Sequence, residues 1–407
     1  MMDYQSVTRL TANRMAALQA PGLTRKGGVA SAFPMTFDVA IIGAGIAGAS
    51  LAAALPPALR VVLIEAEEFP GYHATGRSAA FWSETYGGPF IQPLTTASGP
   101  FLREPPASFS PRPFLSLRGA LMIGTAHEEP EVDAFLREFA QSGVVLDYVA
   151  GKQLDRWLPD RRSYWDRAIW EPTNSDIDVA ALHAAYLKAA KTNGAQVAVR
   201  SRVSAIRKIA GGWIVSAGDD HFECGRVVNA SGAWADDIAR LAGAQPTGIR
   251  PFRRTMVQLR VDAAVPAELP LIVDIGGNFY FKPEGRGRIW LSPHDETPSA
   301  ACDAAPEEVD IAIAIDRFTK VMRWPVIAVE RSWAGLRSFA PDRLPVFGED
   351  PACAGFYWCA GQGGFGIQTA PAISALLAAA ITGEEAAPPY QGIDPAFYAP
   401  GRAGLKS

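Results

Sequence analysis

Gly43, Gly45 and Gly48 stand in the pattern G-x-G-x-x-G, and Glu65 follows about 20 residues after Gly45. Glycines at that spacing bring backbone N–H groups up against phosphate. Gly43 allows a tight turn, Gly45 lets the chain approach a pyrophosphate, and Gly48 lets the next helix pack close to its strand. Ile46 and Ala47 open that helix, whose unpaired N–H groups and positive dipole end suit an anion. The Glu65 carboxylate, with Ala66 beside it, can accept both hydroxyls of a ribose. A second glycine run, Gly361-Gln362-Gly363-Gly364-Phe365-Gly366, leads into an apolar segment from Ile367. Its plainest reading is a strand-to-helix turn. Beside a redox cofactor, the same turn sets a helix start where negative charge builds up.

The elements that must hold these residues are legible around them. Residues 37–42 are a short apolar run rich in β-branched side chains, read as a buried parallel strand. An alanine-rich helix runs to about residue 55, Pro56-Pro57 break it, and residues 60–64 give a second strand ending at Glu65. Strand, turn, helix, strand and acid make a βαβ dinucleotide unit. Further on, residues 181–193 read as a helix with Gly194 in the C-cap position. Strands follow at 196–199, at 203–208 (opening on Val203) and, past the turn Gly211-Gly212, at 213–215. The strand 226–228 ends in the small-residue turn Asn229-Ala230-Ser231-Gly232-Ala233-Trp234. Blocks 251–261 and 278–293 read as antiparallel strands; 355–360 as a strand; 367–382 as a helix. Nucleotide-binding parts thus recur at both ends and in the middle of the chain, which fits FAD better than a contiguous NAD-binding half.

The expected fold class is α/β, a Rossmann-type FAD-binding domain with a second, mostly antiparallel-sheet substrate domain. The first takes residues 36–85, 179–250 and 331–390; the second takes 86–178 and 251–330. A disordered extension is expected over 1–35 and a C-terminal tail over 391–407.

The chain has 407 residues, 48% hydrophobic and 20% charged, enough to bury a core without disulfides or metal. Its 38 Lys+Arg against 42 Asp+Glu, net −4, offer no electrostatic support for binding nucleic acid. Cys224, Cys302, Cys353 and Cys359 form no C-x-x-C pair, and no histidines form H-x-x-x-H, so no metal is expected. Scattered thiols fit a reduced, cytoplasmic protein. The longest apolar stretch, 39–55, carries the motif glycines and is no membrane span. The Arg-bearing start lacks the apolar core of a secretory signal, and Met35 is a candidate true start.

Four more segments matter: Gly71-Tyr72-His73-Ala74-Thr75-Gly76-Arg77-Ser78-Ala79-Ala80, the turn 228–234, Trp333-Ala334-Gly335-Leu336-Arg337-Ser338-Phe339, and the glycine run through Gln368-Thr369. With the first motif and Glu65 they resemble the FAD-dependent D-amino-acid oxidase/dehydrogenase family, which includes glycine and sarcosine oxidases, over residues 37–382. Within it the chain is most similar to bacterial D-arginine dehydrogenases. That resemblance implies non-covalent FAD held by Gly43, Gly45, Ile46, Ala47, Gly48, Glu65 and Ala66. It adds Arg77, Ser78, Ala79, Ala80, Val203, Ala230, Gly232 and Trp234, then Gly335, Arg337, Gly363, Gly364, Phe365, Gly366 and Ile367.

The resemblance also implies that Arg337 and Arg254 grip a substrate carboxylate, with Tyr280 and Tyr86 in support. Gly364 would offer its carbonyl to the amine. Two arginines with tyrosines do suit a planar carboxylate, through charge-assisted and bidentate bonds. The implied reaction oxidises the Cα–N bond by hydride transfer to flavin N5, and the imine hydrolyses to a 2-oxo acid and ammonia. The electron acceptor, whether oxygen, a quinone or another carrier, stays open.

The chain departs from the D-arginine pattern at two places. Phe81 stands where those enzymes have a histidine beside the flavin, and Ala120 stands where they have a glutamate for the guanidinium. A guanidinium buried without that acid is costly. Phe81, Ala120, Leu271 and Val273 are expected to line an apolar pocket for uncharged D-amino acids, with Glu84 the remaining acid of interest. His73, three residues before Gly76, matches a flavin-attachment position in some amine dehydrogenases; it is read as a structural loop residue. The alternatives are a secondary-amine (sarcosine- or glycine-type) or 2-hydroxy-acid substrate, and a non-catalytic flavin-binding protein.

Overall fold

The computed structural model describes residues 35–405. The expected N-terminal extension lies outside the described residues except at Met35, which opens the first strand. β1 (Met35–Ile42), α1 (Ile46–Ala54) and β2 (Val61–Ile64) form the βαβ unit. Then come β3 (Phe81–Trp82), α2 (Gln92–Arg103), β4 (Leu115–Leu117), β5 (Ala120–Gly124), α3 (Glu129–Phe139), β6 (Asp147–Ala150), β7 (Arg167–Glu171) and β8 (Ser175–Ile177). The chain continues through α4 (Val179–Thr192), β9 (Gln196–Ala198), β10 (Val203–Ile209), β11 (Gly212–Ala217), β12 (Asp220–Asn229) and α5 (Ala235–Ala242). Next are β13 (Arg250–Val261), β14 (Leu271–Asp274), β15 (Tyr280–Pro283), β16 (Arg288–Ser292), β17 (Thr297–Pro298), α6 (Glu308–Val321) and β18 (Val326–Phe339). Last come β19 (Val346–Glu349), β20 (Phe356–Ala360) and α7 (Gly366–Thr382).

The first sheet has a parallel core in the order β9-β2-β1-β12-β20. β12 also pairs antiparallel with β11, β11 with β10, and β20 with β19. Both faces are covered, which is why β1 and β2 are apolar almost throughout. Val39, Ile41 and Leu63 pack with Leu51 of α1 and Ile373 and Leu377 of α7. Ala40, Ile42 and Val62 pack on the other side with Trp213, Ile238 and Trp358. The register sets Ile42 beside Asn229 and Asn229 beside Trp358, so β1 and β12 end side by side and β20 runs two residues further. Ligands of such sheets bind outside these carboxyl ends.

The second sheet runs β17-β13-β16-β15-β14-β5-β7-β6, antiparallel except where β14 meets β5. β18 lies along β13 from Arg250 opposite Phe339 to Val261 opposite Val326. Residues 331–339, expected with the nucleotide-binding elements, therefore belong to this sheet, held there by a long backbone ladder. A small sheet, β3-β8-β4, completes the strands. In the C-terminal segment Tyr398 is buried and donates to Phe90 O at 2.6 Å. Among the described residues no helix is long and apolar enough to cross a membrane.

Candidate active site

The turn between β1 and α1 takes the shape its glycines permit. Gly43 has φ +102°, and a Cβ there would lie 2.5 Å from Ala230 O. A Cβ on Gly48 would lie 1.9 Å from Gly43 O, so Gly48 packs α1 onto the turn. Glu65 is braced by two backbone donors: Ala44 N gives to Oε2 at 2.8 Å and Glu67 N to Oε1 at 2.9 Å. A carboxylate has lone pairs beyond these two, open to hydroxyl donors. His183, which the sequence did not single out, donates from Nε2 to Ala44 O at 2.9 Å, and burial pushes its pKa down.

A cleft of about 330 Å³ starts at this turn. It passes Glu65 and Val203 on one side and Ala230 and Trp234 on the other, and reaches Gly335, Arg337 and Gly364. Of the residues expected at the cofactor, all line this cleft except Gly48, Ala79, Ala80 and Phe365. Ala79 and Ala80 line an adjoining recess instead, and Phe365 is buried against Ile91 and Phe339. Arg77 faces the cleft with its guanidinium already engaged. It donates to Ala304 O at 2.9 Å and Ala334 O at 3.1 Å and pairs with Asp303. His73 donates from Nε2 to Glu67 Oε1 at 3.1 Å, and its ring centroid lies 4.8 Å from that of Trp234.

The recess is lined by Phe81, Tyr86, Arg337, Gly364 and Gln368 together with the two alanines. Arg337 Nη1 donates to the Tyr86 hydroxyl at 2.8 Å and to Gly364 O at 3.4 Å, both neutral oxygens. A Cβ on Gly364 would lie 1.9 Å from that hydroxyl and 2.2 Å from Arg337 Nη1, so any side chain there would push both of these groups aside. Arg254 is 2% exposed; Nε donates to Asp295 O at 2.7 Å and Nη2 to Glu296 Oε1 at 3.0 Å. Its Nη1 is buried without a partner. Burial and the Arg337 charge push the Arg254 pKa down. Burial works the same way on Arg337, but Tyr86, Tyr280, Glu296 and Asp295 outweigh it and raise its pKa. Both guanidiniums stay charged.

Tyr280 lines neither the cleft nor the recess. It is buried behind Phe81, with ring centroids 5.7 Å apart, and its hydroxyl donates to Met256 Sδ at 3.1 Å. Phe81, Ala120, Leu271 and Val273 do pack together, in one apolar cluster with Met122, Met256 and Tyr280. Glu84 turns away, accepting from Thr96 Oγ1 at 2.6 Å and Thr173 Oγ1 at 3.1 Å.

Three more polar residues around this region were not singled out in the sequence for a role. Glu171, opposite Ala120 across β5 and β7, is fully buried, and burial raises its pKa. It accepts from Ser83 Oγ at 2.9 Å, Thr85 Oγ1 at 2.7 Å and Glu84 N at 2.8 Å. His294 has φ +53° and donates from Nδ1 to Gly277 O. Burial and the Arg254 charge hold its pKa at about 3. Gln368, the third, lay inside a quoted motif, but only a buried amide in an apolar helix marked it. Among the described residues no group of His, Cys, Asp and Glu could hold a metal ion.

A family model described as FAD dependent oxidoreductase (DAO) matches residues 38–380. FAD-dependent oxidoreductase domain-containing protein 1 of Bos taurus is 30% identical over 172 residues, 38% of this chain and 35% of that protein. The chain thus spans about a third of the length of that relative. Glycine oxidase from Geobacillus kaustophilus superposes with TM-score 0.79 at 22% identity, over 90% of this chain and 99% of that one. L-proline dehydrogenase from P. horikoshii gives TM-score 0.77 at 22% identity, over 89% of this chain and 98% of that one. At such identity the likeness is one of fold, and it confirms the expected two-domain α/β class.

Proposed function

The chain belongs to the FAD-dependent oxidoreductase (DAO) family, and on that premise we propose that it oxidises the Cα–N bond of an uncharged D-amino acid. The imine product hydrolyses to a 2-oxo acid and ammonia. FAD is the family's cofactor, and the residues present fit it. Gly232 has open space where a Cβ would stand, and α1 and α7 both begin at the cleft without a cap from their own N-cap residues, the Thr75 hydroxyl taking only Ile46 N of α1. The His73 nitrogen bonded to Glu67 supports a non-covalent cofactor. When bound, FAD supplies the acceptor for the substrate hydride. In this reading residues 36–85, 179–250 and 340–390 hold FAD, residues 86–178 and 251–330 hold the substrate, and 331–339, on the second sheet, meet both through Gly335 and Arg337.

The chain's own part is positioning. Arg337 and Arg254 hold the carboxylate, and Tyr86, which accepts from Arg337, can donate its own O–H to it. Gly364 O accepts from the amine. A neutral amine needs no base, so orientation does most of the work. The observation that carries this reading is Arg254 Nη1, a buried charged nitrogen without a partner. Beside an Arg337 bonded only to neutral oxygens, it calls for an anion. The D-configuration rests on the motif resemblance, and the uncharged side chain on the apolar cluster and the diverted Glu84. The free cysteines support a reducing, cytoplasmic setting.

A second reading, a glycine- or sarcosine-type amine, is favoured by the two aromatic rings, Phe81 and Tyr86, that narrow the recess. Anaerobic mixing with D- and L-amino acids, N-methyl amino acids and 2-hydroxy acids decides, read as bleaching of the flavin's visible band. Neutral D-amino acids should bleach it quickly and D-arginine slowly. Bleaching by glycine and sarcosine alone selects the second reading, and bleaching by none of the amines rejects both.

A further inference from the structure

Gln368 is 1% exposed in the first turn of α7, a helix that is otherwise mostly apolar there. Its side chain spans a gap to a segment far away in sequence. Oε1 accepts from Ser83 N at 3.1 Å. Nε2 donates to Ser83 O at 3.2 Å, Tyr86 O at 3.3 Å and Thr95 Oγ1 at 2.9 Å. Residues 83–86 belong to no helix or strand, so these side-chain bonds replace a backbone ladder. Glu171 grips the same segment from the other side, through Ser83 Oγ, Thr85 Oγ1 and Glu84 N.

The segment ends at Tyr86, whose hydroxyl takes the Arg337 hydrogen. The Gly364 carbonyl lies four residues before Gln368, at the entrance to the same helix. One rigid element therefore carries both the carbonyl beside Arg337 and the amide that fixes the tyrosine above it. We propose that Gln368 is a positioning residue for the carboxylate clamp, setting the Tyr86 hydroxyl against Arg337 by holding both ends of segment 83–86. The proposal rests on the reading of Arg337 and Tyr86 as a carboxylate site.

The test is titration of FAD-loaded protein with benzoate, followed by flavin absorbance. The proteins are the parent, Arg337→Ala, Tyr86→Phe, Gln368→Met and the Gln368→Met/Tyr86→Phe double variant. Gln368→Met should raise the benzoate Kd about tenfold, with FAD content unchanged. In the Tyr86→Phe background the same change should add less than about twofold, because the amide acts through that hydroxyl. Additive effects, or an unchanged Kd in Gln368→Met while Arg337→Ala binds weakly, would overturn the positioning role alone. No benzoate binding by the parent, or unweakened binding by Arg337→Ala, would overturn the carboxylate reading and this proposal with it. If Gln368→Met loses FAD, Gln368→Glu takes its place: it keeps the acceptor for Ser83 N and lacks hydrogens for Ser83 O and Tyr86 O. Loss of the fold in both variants would make Gln368 a structural residue and reject the proposal.

Discussion

Arg254 and Arg337 project from the same face of the β13–β18 ladder, Arg254 opposite Gly335 and Arg337 opposite Phe252. They form a diagonal pair, with Cα atoms about 7–8 Å apart in such a ladder. Gly335 puts no side chain of its own beside Arg254, and the stem of Arg77 packs over it instead. Like charges held this way penalise one another, and the Arg337 charge accordingly helps push the Arg254 pKa down. A carboxylate placed between them would relieve that repulsion and accept from Arg254 Nη1.

Arg337→Ala should lower kcat/KM for the best amine substrate by roughly two to four orders of magnitude, since leaving a buried charge unpaired costs about 3–5 kcal/mol. Arg337→Lys should fall between the two, because an ammonium lacks the planar fork. Steady-state kinetics on protein of equal FAD content makes the comparison. Unchanged kcat/KM in Arg337→Ala would remove this residue from the carboxylate site.

The cofactor side of the cleft was legible in the sequence because its glycines answer to local backbone needs. The φ of Gly43 and the approach of Gly48 to Gly43 O are set within one turn. On the substrate side Arg337, Arg254, Tyr86 and Gly364 were named only through the resemblance, and the residues that hold them in place were not legible, because their contacts join residues far apart. Gln368 meets Ser83 across 285 positions, and Glu171 meets Ser83 across 88. Tyr280 shows the same limit: its strand was legible, but not that Phe81 would stand in front of it. The long β18 hid for a related reason. It pairs with β13 along its whole length, so its end nearest the cleft carries both site residues and ladder residues.

Gly364→Ala should lower kcat/KM by about a hundredfold or more, since a displacement near 1 Å at a reacting centre costs that much. The new methyl would strike the Tyr86 hydroxyl and Arg337 Nη1 and drive both off position. FAD should stay bound, because no backbone donor is removed. Loss of the flavin with intact kinetics in the remaining loaded fraction would show that Gly364 serves the cofactor and not the substrate.

Glu65→Ala should weaken FAD by about tenfold to a hundredfold, the cost of losing hydrogen bonds to a charged acceptor. The substitution also frees Ala44 N and Glu67 N, loosening the phosphate-binding turn. Titration of apoprotein with FAD, followed by flavin fluorescence, gives the constant directly. An unchanged Kd would mean that Glu65 accepts no ribose hydroxyl and that FAD does not depend on its bracing of the turn.

His294 makes stability depend on pH in a way that reports on dryness around Arg254. Its pKa is about 3 in the folded chain against an ordinary 6.5. Burial comes first among the causes, then the charge of Arg254, with Arg337 and Arg343 adding to it. The sign follows from proton counting. Between these two values the unfolded chain binds a proton at this site and the folded chain does not, so stability falls as pH falls. From about pH 6.5 to about pH 5 the loss from this group should reach ~2 kcal/mol. Buried acids with raised pKa, Glu171 and Asp295 among them, act in the opposite direction, so the comparison must be with a variant that keeps them. His294→Asn keeps a donor for Gly277 O and tolerates positive φ. Denaturant melts of both FAD-loaded proteins across that range should show the parent losing stability on acidification more steeply than the variant. Parallel slopes would mean that His294 titrates normally and that water reaches the buried surroundings of Arg254.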